Sequence, residues 1–341
     1  MRADHLFRVF DIHSSGAPSR LITSGIPPLQ GASGMEKMLD FAANHDWIHR
    51  TLVLEPRGKD MTSGIVLLPP SRPDADVGAF FIEAHGYLPM CGSDTICTVT
   101  ALLETGQLPI TGAETVVRLD TPAGLIEATA SVENGRVTGV TFVGAPAFCL
   151  FADQQVTLPS YGTVTVDVSY GGNFYAIANA DPFALELAPD ATKPASRFAG
   201  ELHQAVNQQL VVQHPELEPV RGVTHVLLYS EPADGIGPTK DMVVMPSGMI
   251  DRSPCGTGTT ARVATLLSKG LLELNEPLVH TSVTGGSYTG RAVSRGQVGS
   301  PETGIVVPSC RVAITGNATI TADSTIFVDD SDVLAGGFQL T

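Results

Sequence analysis

The sequence predicts two similar α/β domains, each carrying a helix whose first residues include a cysteine. Three observations carry this. The chain has 341 residues, too many for one small core, and 43% are hydrophobic against 16% charged, as in a folded protein. Two gapless segments resemble each other, residues 90–106 (MCGSDTICTVTALLETG) and 254–270 (PCGTGTTARVATLLSKG). Short apolar runs punctuated by Gly and Pro fill much of the remaining length.

The paired segments align Cys91 with Cys255, Gly92 with Gly256, Thr95 with Thr259 and Val99 with Val263, then Leu102, Leu103 and Gly106 with Leu266, Leu267 and Gly270. Ser93 and Thr257 are a conservative match. Ile96, Val99, Leu102 and Leu103 fall at helical spacing, as do Val263, Leu266 and Leu267, so each segment reads as a helix with one buried face. Hydroxyl residues stand near each start, and a glycine stands where each helix should stop. The runs GAFFIEA (78–84) and DMVVMP (241–246) read as strands ahead of the helices. VVRLDTPAG (116–124), LIEATASV (125–132) and VTGVTFVG (137–144) alternate apolar and polar residues and read as further strands. A first domain is expected over residues 1–131 plus about 315–341, since IFVDD (326–330) and GGFQL (336–340) suit a last strand returning to it, and a second over 132–314.

Lysine and arginine number 20 and aspartate and glutamate 35, a formal charge of −15. Such an acidic surface repels phosphate backbones and anionic lipid, which argues against nucleic-acid and membrane partners. The N-terminus has no signal-peptide pattern, and no apolar run approaches the roughly 20 residues of a membrane-spanning helix, so a cytoplasmic protein is expected. The five cysteines are scattered and none form CxxC, which fits neither a disulfide framework nor a structural zinc site. His45 and His49 are four apart, but no metal-hydrolase spacing follows.

An isolated Cys-Gly is usually a buried structural pair, and Cys97, Cys149 and Cys310 are read that way. Cys91 and Cys255 differ in standing at the same place in twin elements. A thiol at a helix start feels the positive end of the dipole, which is expected to lower its pKa from about 8.5, and the adjacent N–H groups suit a carboxylate. One thiolate and one thiol on opposite faces of an amino acid's α-carbon could invert it without cofactor or metal. GTGTTA (256–261) also matches a dinucleotide fingerprint, with Glu273 and Glu276 at ribose distance. That reading fails because Asp251-Arg-Ser-Pro-Cys255 separates the pattern from the strand before it. A non-catalytic amino-acid-binding protein would have no use for two reactive thiols.

With these residues in hand, the chain resembles the proline racemase family, which includes 4-hydroxyproline 2-epimerases and trans-3-hydroxyproline dehydratases. The matching segments are DIHSSGAPSR (11–20), EPRG (55–58), MTSGIVLLPP (61–70), LPMCGSDT (88–95), DTPAG (120–124), YGGNFYAI (170–177), DRSPCGTGT (251–259) and IFVDD (326–330). The resemblance implies a diaminopimelate-epimerase-like fold of two pseudo-symmetric domains, each a curved mixed sheet around a central helix, with the active site between them. It implies Cys91 and Cys255 as the acid/base thiols, and Gly92, Ser93, Gly256 and Thr257 as carboxylate holders through backbone N–H groups. It places Asp251 on the substrate's ring nitrogen and His225 against the substrate. It implies no cofactor, a small proline-like substrate and a homodimer. Ser93 stands where racemases and 4-hydroxyproline epimerases usually carry His, and HSSG replaces HTCG or HTGG. Family dehydratases commonly carry Thr at the second cysteine position, so the intact pair favours epimerisation over dehydration of trans-3-hydroxyproline, which Ser93 keeps as the first alternative. EPRG, YGGNFYAI and DRSPCGTGT look closer to the epimerases, which favours a hydroxyproline over racemisation of proline.

Overall fold

The computed structural model describes residues 3–84, 86–232, 237–245, 247–300 and 304–339, with the side chain of Ser300 set aside. Pro246 and Leu340, which end two of the strands expected from the sequence, lie outside the described residues. The chain divides into two compact units, Met1–Phe142 with Gly316–Thr341, and Val143–Thr315.

The first unit contains β1 (His5–Ser14), β2 (Ala17–Ser24), α1 (Gly34–Asn44), α2 (Asp46–Val53), β3 (Ser63–Leu68), β4 (Val77–Glu83), β5 (Gly86–Leu88), α3 (Gly92–Glu104), β6 (Glu114–Thr121), β7 (Gly124–Glu133) and β8 (Arg136–Val143). The second contains β9 (Phe148–Leu158), β10 (Gly162–Tyr170), β11 (Phe174–Asn179), α4 (Thr192–Gln209), β12 (His225–Ser230), β13 (Thr239–Val244), α5 (Gly256–Ser268), β14 (Leu278–Ser282), β15 (Ser287–Ser300) and β16 (Ile305–Gly316). The chain then returns to the first unit as β17 (Ala318–Val328), which pairs antiparallel with β1 from His5↔Val328 to Ser14↔Ala318. β7 and β8 form a hairpin over Asn134-Gly135, so the division falls after β8.

Each unit runs through its strands in the same pattern of directions. The first reads β17-β1-β2-β3-β4-β6-β7-β8, antiparallel throughout except for the parallel pairs β2–β3 and β4–β6. The second reads β9-β10-β11-β12-β13-β14-β15-β16, with its parallel pairs β11–β12 and β13–β14 in the matching places. The duplication seen in two helices therefore extends to the whole topology. It is hidden in the sequence because a pleated strand needs only apolar residues on its buried faces, which many sequences supply.

Layering follows from which side of each strand is apolar. In the first unit Ile12, Leu21, Ile65 and Phe81 pack with Cys97 and Ala101 of α3. Their neighbours Val9, Ile22, Val66, Phe80 and Ile82 pack on the other face with Phe41, Ile48 and Leu52 of α1 and α2. Strands covered on both faces read as continuous apolar runs, which explains GAFFIEA. The second unit repeats this, with Tyr175, Ile177, Leu227 and Val243 toward α5 and Phe174, Ala176, Val226 and Leu228 toward α4.

The central helices are buried around most of their circumference, a correction to the one-faced helix expected from spacing. α3 packs on β17, β1, β2, β3 and β7, so strands from distant places in the sheet order surround it. Its threonines tolerate this because their hydroxyls bond backward along the helix: Thr95 Oγ1 donates to Cys91 O at 2.7 Å and Thr98 Oγ1 to Asp94 O at 2.6 Å. In α5, Thr265 Oγ1 donates to Ala261 O at 2.9 Å. Buried Arg262 stacks over Tyr229 at 3.7 Å and pairs with Glu231 at 3.1 Å. Both helices stop as expected, at Gly106 (φ 71°) and Gly270 (φ 67°), in the left-handed conformation a Cβ disfavours.

Candidate active site

Each cysteine occupies the N-cap of its unit's central helix, and neither helix start is capped by a side chain. The first-turn N–H groups at Gly92 and Ser93, and at Gly256 and Thr257, belong to the set that no helix satisfies internally. This suits them to an anion.

At α3, Cys91 is half-buried, and its Sγ lies 3.4 Å from Ser93 Oγ. Asp94, fully buried in the first turn, accepts hydrogen bonds from Ser19 Oγ at 2.5 Å and Ser63 Oγ at 2.6 Å. Those serines belong to DIHSSGAPSR and MTSGIVLLPP, so the two segments act together to seat the helix start. Arg20 ties β2 to its neighbours: it pairs with Asp11 at 2.7 Å and donates to the carbonyls of Leu52 and Arg57, both at 2.8 Å. In DTPAG, Ala123 N–H donates to Pro89 O at 3.3 Å, just ahead of Cys91.

At α5, DRSPC forms a relay. Asp251 Oδ1 accepts from Ser253 N–H at 2.8 Å and Ser253 Oγ at 3.0 Å, and Ser253 Oγ accepts from Cys255 N–H at 3.1 Å. This holds Cys255 at φ 63°, ψ 113°, a conformation costly for a residue with a Cβ, of order 1–3 kcal/mol. Strain of that kind persists where surrounding bonds over-determine it. The sulfur lies 3.3 Å from Tyr175 Oη and 3.5 Å from Thr257 Oγ1, and those two oxygens are 2.6 Å apart. His225 joins through Tyr175, the ring centroids 5.1 Å apart, and its Nδ1 lies 2.7 Å from Thr224 Oγ1. The glycines of YGGNFYAI allow the close approach: a Cβ on Gly171 would stand 2.3 Å from Thr257 O and 2.6 Å from Ala261 N.

The electrostatics correct one expectation. Burial pushes both thiols up, not down: Cys91 well above its ordinary value, aided by the Asp94 carboxylate, and Cys255 to about 12, aided by Asp251. The Ser93 hydroxyl and Asp94 N–H pull Cys91 the other way, and Thr257, Tyr175 and the Gly258 N–H do so for Cys255. The helix start does favour thiolate, but loss of water around the sulfur outweighs it. Burial, with the nearby His203 charge, pushes His225 down to about 4, so its imidazole is neutral at pH 7. Burial also raises Asp251, against the Ser253 bonds.

In the second unit the structure thus gathers Asp251, Cys255, Gly256 and Thr257, with His225 one ring away; in the first it gathers Cys91, Gly92 and Ser93. Sequence reasoning missed Tyr175, Ser253 and the Ser19–Asp94–Ser63 cluster. Their signal was present inside the quoted segments, but spacing does not say which side chain turns toward the helix. His49 is buried, its ring 3.0 Å from Asp46 and 2.7 Å from Glu83 O. α5 follows β13 only after residues 245–255, consistent with the rejection of a dinucleotide loop. Among the described residues no helix is long and apolar enough to cross a membrane.

The sequence model of the proline racemase family matches residues 9–339. The chain belongs to the proline racemase family. It is 40% identical over 336 residues to a 4-hydroxyproline 2-epimerase of Ancylobacter novellus, covering 98% of this chain and 99% of the relative. Identity to a 4-hydroxyproline epimerase of Brucella ovis is 40% over 340 residues, 99% of each chain. The crystal structure of a hydroxyproline epimerase from Agrobacterium vitis with bound trans-4-hydroxy-L-proline superposes with a TM-score of 0.84 at 30% identity, covering 100% of this chain and 97% of that one. A phenazine biosynthesis protein of the PhzF family from Bacillus anthracis shares the fold at a TM-score of 0.57 and 15% identity, covering 96% of this chain and 100% of that one. The architecture is thus the diaminopimelate-epimerase-like fold that the sequence resemblance implied.

Proposed function

We propose that this proline racemase family member inverts the α-carbon of a hydroxyproline, trans-4-hydroxy-L-proline foremost, through Cys91 and Cys255. The observation that carries this is the matched pair of cysteine N-caps, one at the central helix of each unit, in a chain similar end to end to 4-hydroxyproline epimerases. One thiolate takes the α-proton, and the other thiol delivers its proton to the opposite face of the carbon. Carbon loses and regains one proton while the thiol and thiolate exchange places, so no redox partner is needed. The N–H groups of Gly92, Ser93, Gly256 and Thr257 hold the carboxylate, into which the carbanion's charge spreads. Asp251 receives the ring nitrogen, and neutral His225 lines the substrate.

Because both thiols are raised, thiolate is the scarce form at neutral pH. The base must be deprotonated, so log kcat/KM is expected to climb with a slope near one between about pH 7 and about pH 9. A pH–rate profile flat over that range would mean that substrate meets a thiolate already formed.

Proton NMR in D₂O tests the reading, with trans-4-hydroxy-L-proline, trans-3-hydroxy-L-proline and L-proline in separate tubes. Loss of the α-proton signal with growth of the cis-4-hydroxy-D-proline diastereomer is the expected result. Conversion of the 3-hydroxy compound to a pyrroline carboxylate instead would make the chain a dehydratase. No change in any tube would sink the proposal.

A further inference from the structure

The two helix starts are twins in backbone but not in what stands behind the sulfur. In the parallel pair β2–β3 the first register pair is Ser19↔Ser63; in the matching pair β11–β12 it is Tyr175↔His225. In the first unit the two serines hold the carboxylate of Asp94 beneath the helix, close enough to Cys91 that its charge opposes a second negative charge there. The residue matching Asp94 in the second unit is Gly258. There is no carboxylate at that place, and the longer Tyr175 reaches the sulfur itself, 3.3 Å away.

We infer that Tyr175 is a positioning residue whose hydroxyl donates to Cys255 and makes it the more readily ionised member of the cysteine pair. The ring is fully buried between β10 and β12, so the hydroxyl has little freedom to leave. Thr257 Oγ1, 2.6 Å from the phenol oxygen, can donate to it and leave the phenol proton for sulfur. A phenol raised well above its ordinary value keeps that proton. A hydroxyl donor favours S⁻ over S–H. The other groups around Cys255 are Asp251, which opposes its thiolate, Arg252, which acts on Asp251, and His225, which is neutral at pH 7. Asp251 already accepts two bonds from Ser253, which spread its charge.

The catalytic meaning of this asymmetry, that one face of the α-carbon meets the more easily formed base, rests on the proposed two-thiol function. Its test does not. The protein is treated with substoichiometric iodoacetamide at about pH 8, and the labelled peptides are quantified by mass spectrometry. Cys91 is the more exposed residue, so access alone would label it first; Cys255 is expected first. In Tyr175→Phe, Cys255 is expected to react about tenfold more slowly, the loss of about one pKa unit of thiolate preference, while Cys91 keeps its rate. A mere packing role predicts the opposite sign, since removing the hydroxyl opens access to the sulfur. Labelling of Cys97 and Cys310 reports any unfolding of the variant, and the order in the unsubstituted protein then decides alone. Cys91 reacting first, or Cys255 reacting as fast or faster in Tyr175→Phe, overturns the assignment. Failure to epimerise by NMR with Cys255 still labelled first would reject the proposed function and leave this inference standing.

Discussion

Cys255→Ala and Cys91→Ala are each expected to lower inversion of trans-4-hydroxy-L-proline by about 10³-fold or more, measured by chiral chromatography of the product. Each sulfur is proposed to handle a proton on one face of the carbon, and loss of one positioned acid or base removes about 10²–10⁴ in rate. The double variant should be little worse than either single one, because residues acting as a unit are not additive. Each single variant should hold its fold, since alanine removes one small buried atom group. A Cys255→Ala protein that inverts at the unsubstituted rate would remove this thiol from the reaction.

Gly171→Ala is expected to lower turnover sharply although it touches neither thiol. The added Cβ would meet backbone at 2.3 Å (Thr257 O) and 2.6 Å (Ala261 N), and neither atom is the far end of a flexible side chain. The β10–β11 turn or the start of α5 has to move. Overpacking of this kind costs about 1–3 kcal/mol, and a displacement near 1 Å at the reacting groups costs about 10²-fold in turnover. Gly200 in α4 provides the contrast: a Cβ there meets nothing within 4 Å, so Gly200→Ala should stabilise by about 0.5–1 kcal/mol and leave turnover alone. Thermal unfolding alongside turnover distinguishes them. Equal behaviour of the two variants would mean that the turn relaxes at no cost.

Much of the site was legible because it is local. Helix position follows from apolar spacing and a terminal glycine, and an N-cap cysteine follows from helix position. Cys91, Gly92, Ser93, Cys255, Gly256 and Thr257 could thus be placed by reading along the chain. Tyr175 and Ser253 could not be separated from their segments, nor Ser19 and Ser63 from theirs. Ser19 and Asp94 are far apart in sequence, and only the sheet register decides that one hydroxyl reaches the other's carboxylate.

The sequence by itself determined two like helices with a cysteine at each head, the strands around them, and the family to which the chain belongs. Tertiary structure decided the properties that depend on surroundings. It enclosed α3 and α5 on nearly all sides, and in doing so raised both thiols that a bare helix start would have lowered. It also set Asp94 behind one sulfur and Tyr175 beside the other. The physical reason is common to both. A hydrogen-bonding pattern along one helix involves near neighbours, whereas the desolvation and field felt by a buried sulfur are summed over every strand packed against it.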